Sequence, residues 1–223
     1  MTISSGKARD YSDAEEITHA VTHGLGVILS ILALIFIVLK ASDVGPKAIT
    51  ATAIYAACMI VLYLCSTIYH GAYKSKFKPF LETLDHAAIY LMIAGSYTPL
   101  ALLILPPIKG LIILVTVWVI AAIGVTLKFI AHYAADGTHE RFDKLSLFGY
   151  IAMGWLCLFV IGDLWVGLTV PGFVWLVAGG LCFTGGAAFY AWKQLKYGHA
   201  VWHGFVLAGS GCHFVTIYGF VLP

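Results

Sequence analysis

Long apolar stretches alternate with short polar connections along almost the whole chain. A bilayer core of about 30 Å requires about 20 apolar residues at a rise of 1.5 Å each. By that criterion the sequence predicts an all-α bundle of seven membrane-spanning helices, at about residues 17–39, 48–69, 84–105, 110–130, 145–162, 171–192 and 199–221. Residues 1–16 are polar, so we predict an N-terminal segment over 1–16 followed by one transmembrane domain over 17–221.

The composition supports an integral membrane protein. Of the 223 residues, 61% are hydrophobic and 11% are charged, whereas a soluble domain has about a quarter of its residues charged. A net charge of +2 is too small to indicate a nucleic-acid partner. The five cysteines include no CxxC pair, which argues against a thiolate zinc site or a disulfide framework.

Basic residues in the short connections predict how the bundle is oriented, because they are enriched on the cytoplasmic side. On the seven-span topology three basic residues lie on one side, namely Lys40, Lys47 and Lys109. Ten lie on the other side, namely Lys7, Arg9, Lys74, Lys76, Lys78, Lys128, Arg141, Lys144, Lys193 and Lys196. The predicted N-terminus is therefore cytoplasmic and the predicted C-terminus extracytoplasmic, which is the reverse of a G-protein-coupled receptor.

Glycines in the sixth predicted span indicate close packing of helices. Gly179, Gly180, Gly185 and Gly186 form two pairs about two turns apart. Small residues let transmembrane helices approach closely. We therefore expect this span to pack tightly against a neighbour.

Ionisable residues collect at the predicted cytoplasmic ends of four spans. The first span carries Glu16, His19 and His23, the second ends with His70, the third begins with Asp85 and His86, and the seventh begins with His199 and His203. Ionisable groups inside a membrane are costly, and they normally face the bundle interior with a partner. The pattern predicts that these side chains share one layer.

His199 and His203 are candidate metal ligands. Residues four apart on a helix project from one face, and neutral imidazole is the commonest protein ligand for metals. Two imidazoles from one helix and a third from a neighbour make a zinc site with an open fourth position. His70 is the best third ligand by depth. A solitary interfacial histidine is, however, more often hydrogen-bonded or snorkelling, and His19 and His23 have the same spacing and compete for the role.

Four blocks of the sequence resemble the hemolysin III family, the bacterial branch of the progestin and adipoQ receptors. They are "EEITHAVTHGLG" (15–26), "CSTIYHGAY" (65–73), "LDHAAIYLMIAGSYTPL" (84–100) and "HAVWHGFVLAGSGCHF" (199–214). The resemblance covers about residues 13–221. In the first block Glu16, Thr22 and His23 match the family pattern, but His19 stands where asparagine is usual.

The resemblance implies a seven-helix fold with a cytoplasmic N-terminus and a zinc ion bound by His70, His199 and His203. It also implies that Asp85 is the partner of the zinc-bound water, and that Ser66 assists on the same helical face as His70. Eukaryotic relatives are hormone receptors linked to ceramide hydrolysis, and related membrane enzymes are alkaline ceramidases. Bacterial members were named for haemolysis and have been tied to membrane-fluidity homeostasis.

Three functions follow as hypotheses. The first is zinc-dependent hydrolysis of a ceramide-like lipid amide in the cell membrane, with Asp85 and Ser66 as catalytic residues and membrane lipids as partners. The second is a non-catalytic sensor in which zinc is a structural clasp between the second and seventh spans. The third is a pore-forming cytolysin, which is disfavoured because a stable seven-span protein does not insert from water into foreign membranes.

Overall fold

The computed structural model describes residues 11–134 and 139–223, with the side chains of 139–144 left undescribed. Within these residues the chain is helical and has no strand. The helices are α1 (Asp13–Ser42), α2 (Pro46–Gly71), α3 (Lys78–Leu103), α4 (Pro107–Tyr133), α5 (His139–Gly154), α6 (Ile161–Gly167), α7 (Val170–Ala191) and α8 (Gly198–Thr216). A 3₁₀ segment, Trp155–Val160, joins α5 to α6, and a π-helical turn, Ile217–Val221, follows α8.

Seven helical segments are long and apolar enough to cross a membrane, which confirms the predicted seven-helix bundle. The fifth is composite, since Leu145–Gly167 runs through α5, the 3₁₀ segment and α6. This segment extends past the predicted end at residue 162. Asp163 lies inside it because Lys109 donates two hydrogen bonds to its carboxylate, at 2.7 and 2.9 Å.

The first helix begins inside the polar segment predicted over 1–16. Ser12 accepts a hydrogen bond from the Glu15 N–H, and the Glu15 side chain accepts one from the Ser12 N–H. This reciprocal capping box satisfies two backbone donors at a helix start. The helix therefore starts at Asp13, four residues before the apolar pattern begins.

The outer surface of the bundle is apolar, as a lipid-facing surface must be. Phe159 and Val166 expose 84% and 85% of their surface, and Ile28 and Leu111 are also largely exposed. A water-soluble protein rarely leaves so large an apolar area uncovered. These side chains are therefore placed against the lipid of the bilayer.

Buried charged residues of the bundle concentrate at one end. We call this the N-terminal end: α1, α3 and α8 begin there and α2 ends there. It is the end that the basic residues predict to be cytoplasmic. Lys7 and Arg9 lie outside the described residues, as do the side chains of Arg141 and Lys144, and the orientation stays a prediction.

Two adjacent carboxylates in the first turn of α1 connect the helices at the N-terminal end. Glu15 Oε1 accepts a hydrogen bond from the backbone N–H of Tyr197, at 3.0 Å, immediately before α8. Glu16 reaches both other helices, because its carboxylate pairs with His70 of α2 and with Lys78 of α3. The start of α1 thereby fixes the end of α2 and the starts of α3 and α8.

Two of the four glycines predicted to pack closely do so, both on the α8-facing side of α7. A Cβ atom at Gly186 would lie 2.6 Å from Phe205 Cβ, and one at Gly179 would collide with the His213 ring. At Gly180 and Gly185 the nearest atoms would be 3.8 and 3.7 Å away, which is ordinary contact. The close approach of α7 and α8 therefore depends on Gly179 and Gly186.

Candidate metal centre

The three histidines predicted as ligands lie together at the N-terminal end of the bundle. His70 comes from the last turn of α2, and His199 and His203 come from the first two turns of α8. Each offers a ring nitrogen, and these three atoms lie within 4.8 Å of one another. A group of this kind can hold a metal ion; the identity of the metal stays a prediction.

The free nitrogens of these rings fit a metal site. Nε2 of His70 and both ring nitrogens of His199 are buried, and no residue in the described part of the chain hydrogen-bonds to them. A buried polar atom without a partner costs about 1–3 kcal/mol. A cation bound among them removes this cost, and three imidazoles are a donor set typical of zinc.

Hydrogen bonds behind the rings orient their nitrogens. His70 Nδ1 lies 2.7 Å from Glu16 Oε2, so Nδ1 donates and Nε2 remains as the ligand atom. Thr22 Oγ1 donates to the carbonyl oxygens of Thr18 and His19. Its oxygen therefore accepts from His203 Nδ1, at 3.0 Å, which leaves Nε2 of His203 for an ion.

Two of these supporting residues had no assigned role in the sequence. Thr22 belongs to the first sequence block, but the sequence indicates no chemical role for it. Lys78 enters the sequence analysis only as one of the basic residues that predict the orientation. The match at Thr22 was a usable signal, whereas nothing in the sequence indicated that Lys78 pairs with the carboxylate of Glu16. Both contacts join residues that are far apart along the chain.

His19 and His23 differ in how they meet the three predicted ligands. The ring centroid of His19 is 4.8 Å from those of His70 and His199 and 5.5 Å from that of His203. A ligand atom of His19 also lies within 4.8 Å of one from Glu16 and one from His70. His23 instead stacks on the face of His203, with centroids 3.4 Å apart and an interplanar angle of 10°.

His86 lies beside the cluster but is engaged elsewhere. Its Nδ1 is 2.8 Å from the carbonyl oxygen of Glu82, and its Nε2 is 3.0 Å from the hydroxyl of Tyr190. Both ring nitrogens therefore have protein partners. His86 is thus the member of the predicted layer that lines the cavity wall beside the histidine cluster.

Asp85 and Ser66 lie on the wall of a cavity that reaches His199 and His203. Both residues are buried. Neither belongs to the groups of closely spaced potential ligands found in the described ranges. Their position is thus beside the histidine cluster, facing the same space.

The cavity is long and apolar beyond its polar end. It runs between α3, the fifth span, α7 and α8, and its lining includes both His199 and His213 of α8. These residues are 14 positions apart on one helix, which corresponds to about 21 Å. Between them the wall is mostly aliphatic and aromatic, with side chains such as Ile93, Leu176 and Val206.

One side of the cavity borders the lipid-facing surface. Leu158 and Ile161 line the cavity, and they also expose 52% and 42% of their surface on the outside of the bundle. The fifth span packs only sparsely against α7, in contrast to the continuous packing between α1 and α2.

Comparison with known proteins places the chain in a family. The model of the family described as haemolysin-III related matches residues 11–214. The chain belongs to this family. Together with the seven apolar helices, membership in the haemolysin-III-related family identifies a multi-pass protein of the cell membrane.

Relatives of known name cover most of the chain. Hemolysin-3 of Bacillus cereus is 42% identical over 210 residues, which are 94% of this chain and 93% of that protein. The Hemolysin-3 homolog of Bacillus subtilis (strain 168) is 41% identical over 207 residues, 91% of this chain and 92% of that protein. The monocyte to macrophage differentiation factor of Homo sapiens is 27% identical over 216 residues, 93% and 84% of the two chains.

Proposed function

We propose that this haemolysin-III-related protein is a zinc-dependent hydrolase of lipid amides, with ceramide-like substrates, acting in membrane lipid homeostasis. The observation that carries the proposal is the shared cavity. Asp85, Ser66, His199 and His203 face one space, and that space continues as an apolar tunnel along α8. A metal-capable cluster, an acid–base group and a lipid-sized channel thus meet at one point.

His70, His199 and His203 would hold the zinc ion. When bound there, zinc supplies Lewis-acid chemistry that makes water more acidic and polarises a carbonyl group. Glu16 and Thr22 keep the rings of His70 and His203 in the orientation that ligation needs. The preorganised rings lower the cost of ordering the site when the ion binds.

Asp85 would be the general base and then the general acid. Its carboxylate takes a proton from the attacking water as the new C–O bond forms, and it returns that proton to the nitrogen as the C–N bond breaks. The products are a carboxylic acid and an amine. The Ser66 hydroxyl would donate a hydrogen bond to the developing oxyanion or to Asp85.

The apolar part of the cavity would hold the acyl chain. The lining extends over about 21 Å of α8, from His199 to His213, so a chain placed along it brings its amide to the polar end. Water is disfavoured among side chains such as Ile93 and Val206. The cavity therefore orients a lipid amide with its scissile bond beside Asp85.

Replacement of Asp85 tests the proposal. In purified protein reconstituted with ceramide, release of free fatty acid is measured by mass spectrometry, and bound zinc by elemental analysis. We expect Asp85→Asn to retain zinc and to lose at least about 100-fold in turnover. Asp163→Asn, a carboxylate change at the opposite end of the bundle, is the matched control and should retain turnover.

The contrary result is equally clear. If the wild-type protein binds zinc and turnover is absent, or Asp85→Asn leaves turnover unchanged, the hydrolase proposal is wrong. In that case a structural role for the zinc ion is preferred to a catalytic one. It is favoured by one observation, namely that the same cluster joins α2 to α8, while Glu16 joins α2 to α1 and Glu15 joins the residue before α8 to α1.

A further inference from the structure

We propose that His19 is a fourth imidazole ligand, so that a metal ion in this protein is held by His19, His70, His199 and His203 together. The inference rests on the metal site of the proposed function but not on hydrolysis.

The four rings are arranged as a tetrahedron. With Zn–N bonds of about 2.0–2.1 Å, four imidazoles arranged tetrahedrally around one ion have ring centroids about 5.2 Å apart. In the structure the six centroid distances among His19, His70, His199 and His203 run from 4.6 to 5.5 Å. All six edges are close to the tetrahedral value, so the four rings surround one common space. The ligand atom of His19 lies with those of Glu16 and His70, so its ring must turn for a nitrogen to reach an ion that His199 and His203 also bind.

The burial of His19 supports the same conclusion. Its side chain is fully buried in the first turns of α1, and neither ring nitrogen has a hydrogen-bond partner in the part of the chain that the structure describes. His23 is buried with both nitrogens unpartnered as well, so the position of the ring relative to the other three distinguishes the two histidines. Two unsatisfied nitrogens in the interior of a bundle are costly. Coordination of the central ion by one of them removes part of that cost.

His23 shows what a neighbouring histidine looks like when it is not a ligand. Its ring stacks face to face on His203 at 3.4 Å, closer than two imidazoles bound to one tetrahedral ion can lie. It is one turn further along α1 than His19. The same substitution at His23 therefore provides a matched control.

Four protein nitrogens leave no open position on a tetrahedral ion. Structural zinc sites have four protein ligands, whereas catalytic sites keep one position for water or substrate. Access of a substrate to the ion in this chain therefore requires His19 to leave. The ring of Tyr11 packs edge-on against His19, with centroids 4.8 Å apart, and any such movement passes this contact.

X-ray absorption spectroscopy at the zinc edge tests the inference on the full-length protein in detergent. The outer-shell scattering counts imidazoles. We expect four in the wild type, three plus one oxygen in His19→Asn, and four in His23→Asn. Chelator competition should show that His19→Asn weakens zinc binding at least about 10-fold and more than His23→Asn does, since His23 only packs on the ligand His203.

Three imidazoles and one oxygen in the wild type would overturn the inference while leaving the hydrolase proposal intact. Two zinc ions per chain would also overturn it, since they would assign His19 to a separate site with Glu16 and His70. Four imidazoles without any amide turnover would support it and refute hydrolysis. The wild-type spectrum decides the matter even if His19→Asn fails to fold.

Discussion

Glu16 connects the start of α1 to a candidate ligand on α2 and to the start of α3. One carboxylate oxygen accepts from His70 Nδ1, and the other pairs with the ammonium group of Lys78. The side chain is buried, so each contact is weakly screened by solvent. Glu16 thereby fixes which nitrogen of His70 is available to a metal.

The first prediction concerns this carboxylate. Glu16→Gln keeps the size of the side chain but removes the charge that favours a proton on His70 Nδ1. Changes in such outer partners typically cost 10–100-fold in metal affinity, so we expect zinc binding to weaken by about that factor. Chelator competition on the purified protein measures the change.

Asp13→Asn is the control for Glu16→Gln. Asp13 lies in the same helical turn, and its pair with Lys74 is exposed, where such pairs contribute little. Equal losses in the two variants would mean that the effect is general to the start of α1. An unchanged affinity in Glu16→Gln would contradict the role assigned to the carboxylate.

At the level of single residues, sequence spacing and depth predicted which histidines come together. His199 and His203 share a helical face by their spacing, and His70 lies at the matching depth of another span. The hydrogen bond from His203 to Thr22 joins residues 181 positions apart. Its distance and direction depend on how α1 packs against α8, and local patterns carry no such information.

Among the elements, α7 and α8 pack closely at the end that carries two candidate ligands. Gly186 of α7 faces Phe205 and Trp202 of α8, and Trp202 directly precedes His203. The start of α8 carries two of the candidate ligands. Packing of these two helices therefore affects both the stability of the bundle and the position of the ligands.

We predict that Gly186→Ala destabilises the protein by about 1–3 kcal/mol, the usual cost of overpacking. The added methyl group would lie 2.6 Å from Phe205 Cβ, so one helix must move. Thermal unfolding in detergent should show a lower midpoint for Gly186→Ala. Gly185→Ala, one residue away with 3.7 Å to its nearest neighbour, should unfold as the wild type does; similar midpoints in both would contradict the packing argument.

The bounds of the elements were predictable where hydropathy alone decides them, and less so where polar contacts extend a helix. Glu15 in its capping box moves the start of α1 to Asp13, and the pairing of Asp163 with Lys109 carries the fifth span past the predicted end. Sequence patterns identify charged residues as breaks in an apolar run. Whether a charged residue ends the helix or is paired with an opposite charge inside it depends on the tertiary structure.

For the whole molecule, the distribution of basic residues predicts that the candidate site opens toward the cytoplasm. Reporter fusions on either side of α8 test this orientation. Alkaline phosphatase fused after Pro223 should be active, and the same enzyme fused after Lys196 should be inactive, since the enzyme matures only outside the cytoplasm. The reverse activities would place the N-terminus outside.

The cavity extends along α7 and α8 away from the histidine cluster, and the last prediction concerns its apolar part. Gly180 lines it on α7, about 15 Å along the helix from Tyr190, which contacts the ring of His199. An added Cβ at position 180 would make ordinary contact, at 3.8 Å, with the ring of Trp155, which also lines the cavity. Gly180→Phe should therefore fill the apolar channel without reaching the histidines. We expect zinc content to stay unchanged, while photo-crosslinking of a ceramide carrying a diazirine on its acyl chain falls at least about 10-fold.

Leu181→Phe is the matched control, because Leu181 is 58% exposed on the outer surface and should leave crosslinking unchanged. If Gly180→Phe binds the probe as well as the wild type does, the acyl chain lies elsewhere and the channel is not a lipid site. If zinc is lost together with crosslinking, the two ends of the cavity are structurally coupled and position 180 acts through the cluster. If zinc is retained and crosslinking is lost, the metal cluster and the binding site of the acyl chain are separate parts of the cavity. The proposed hydrolysis requires these two separate parts.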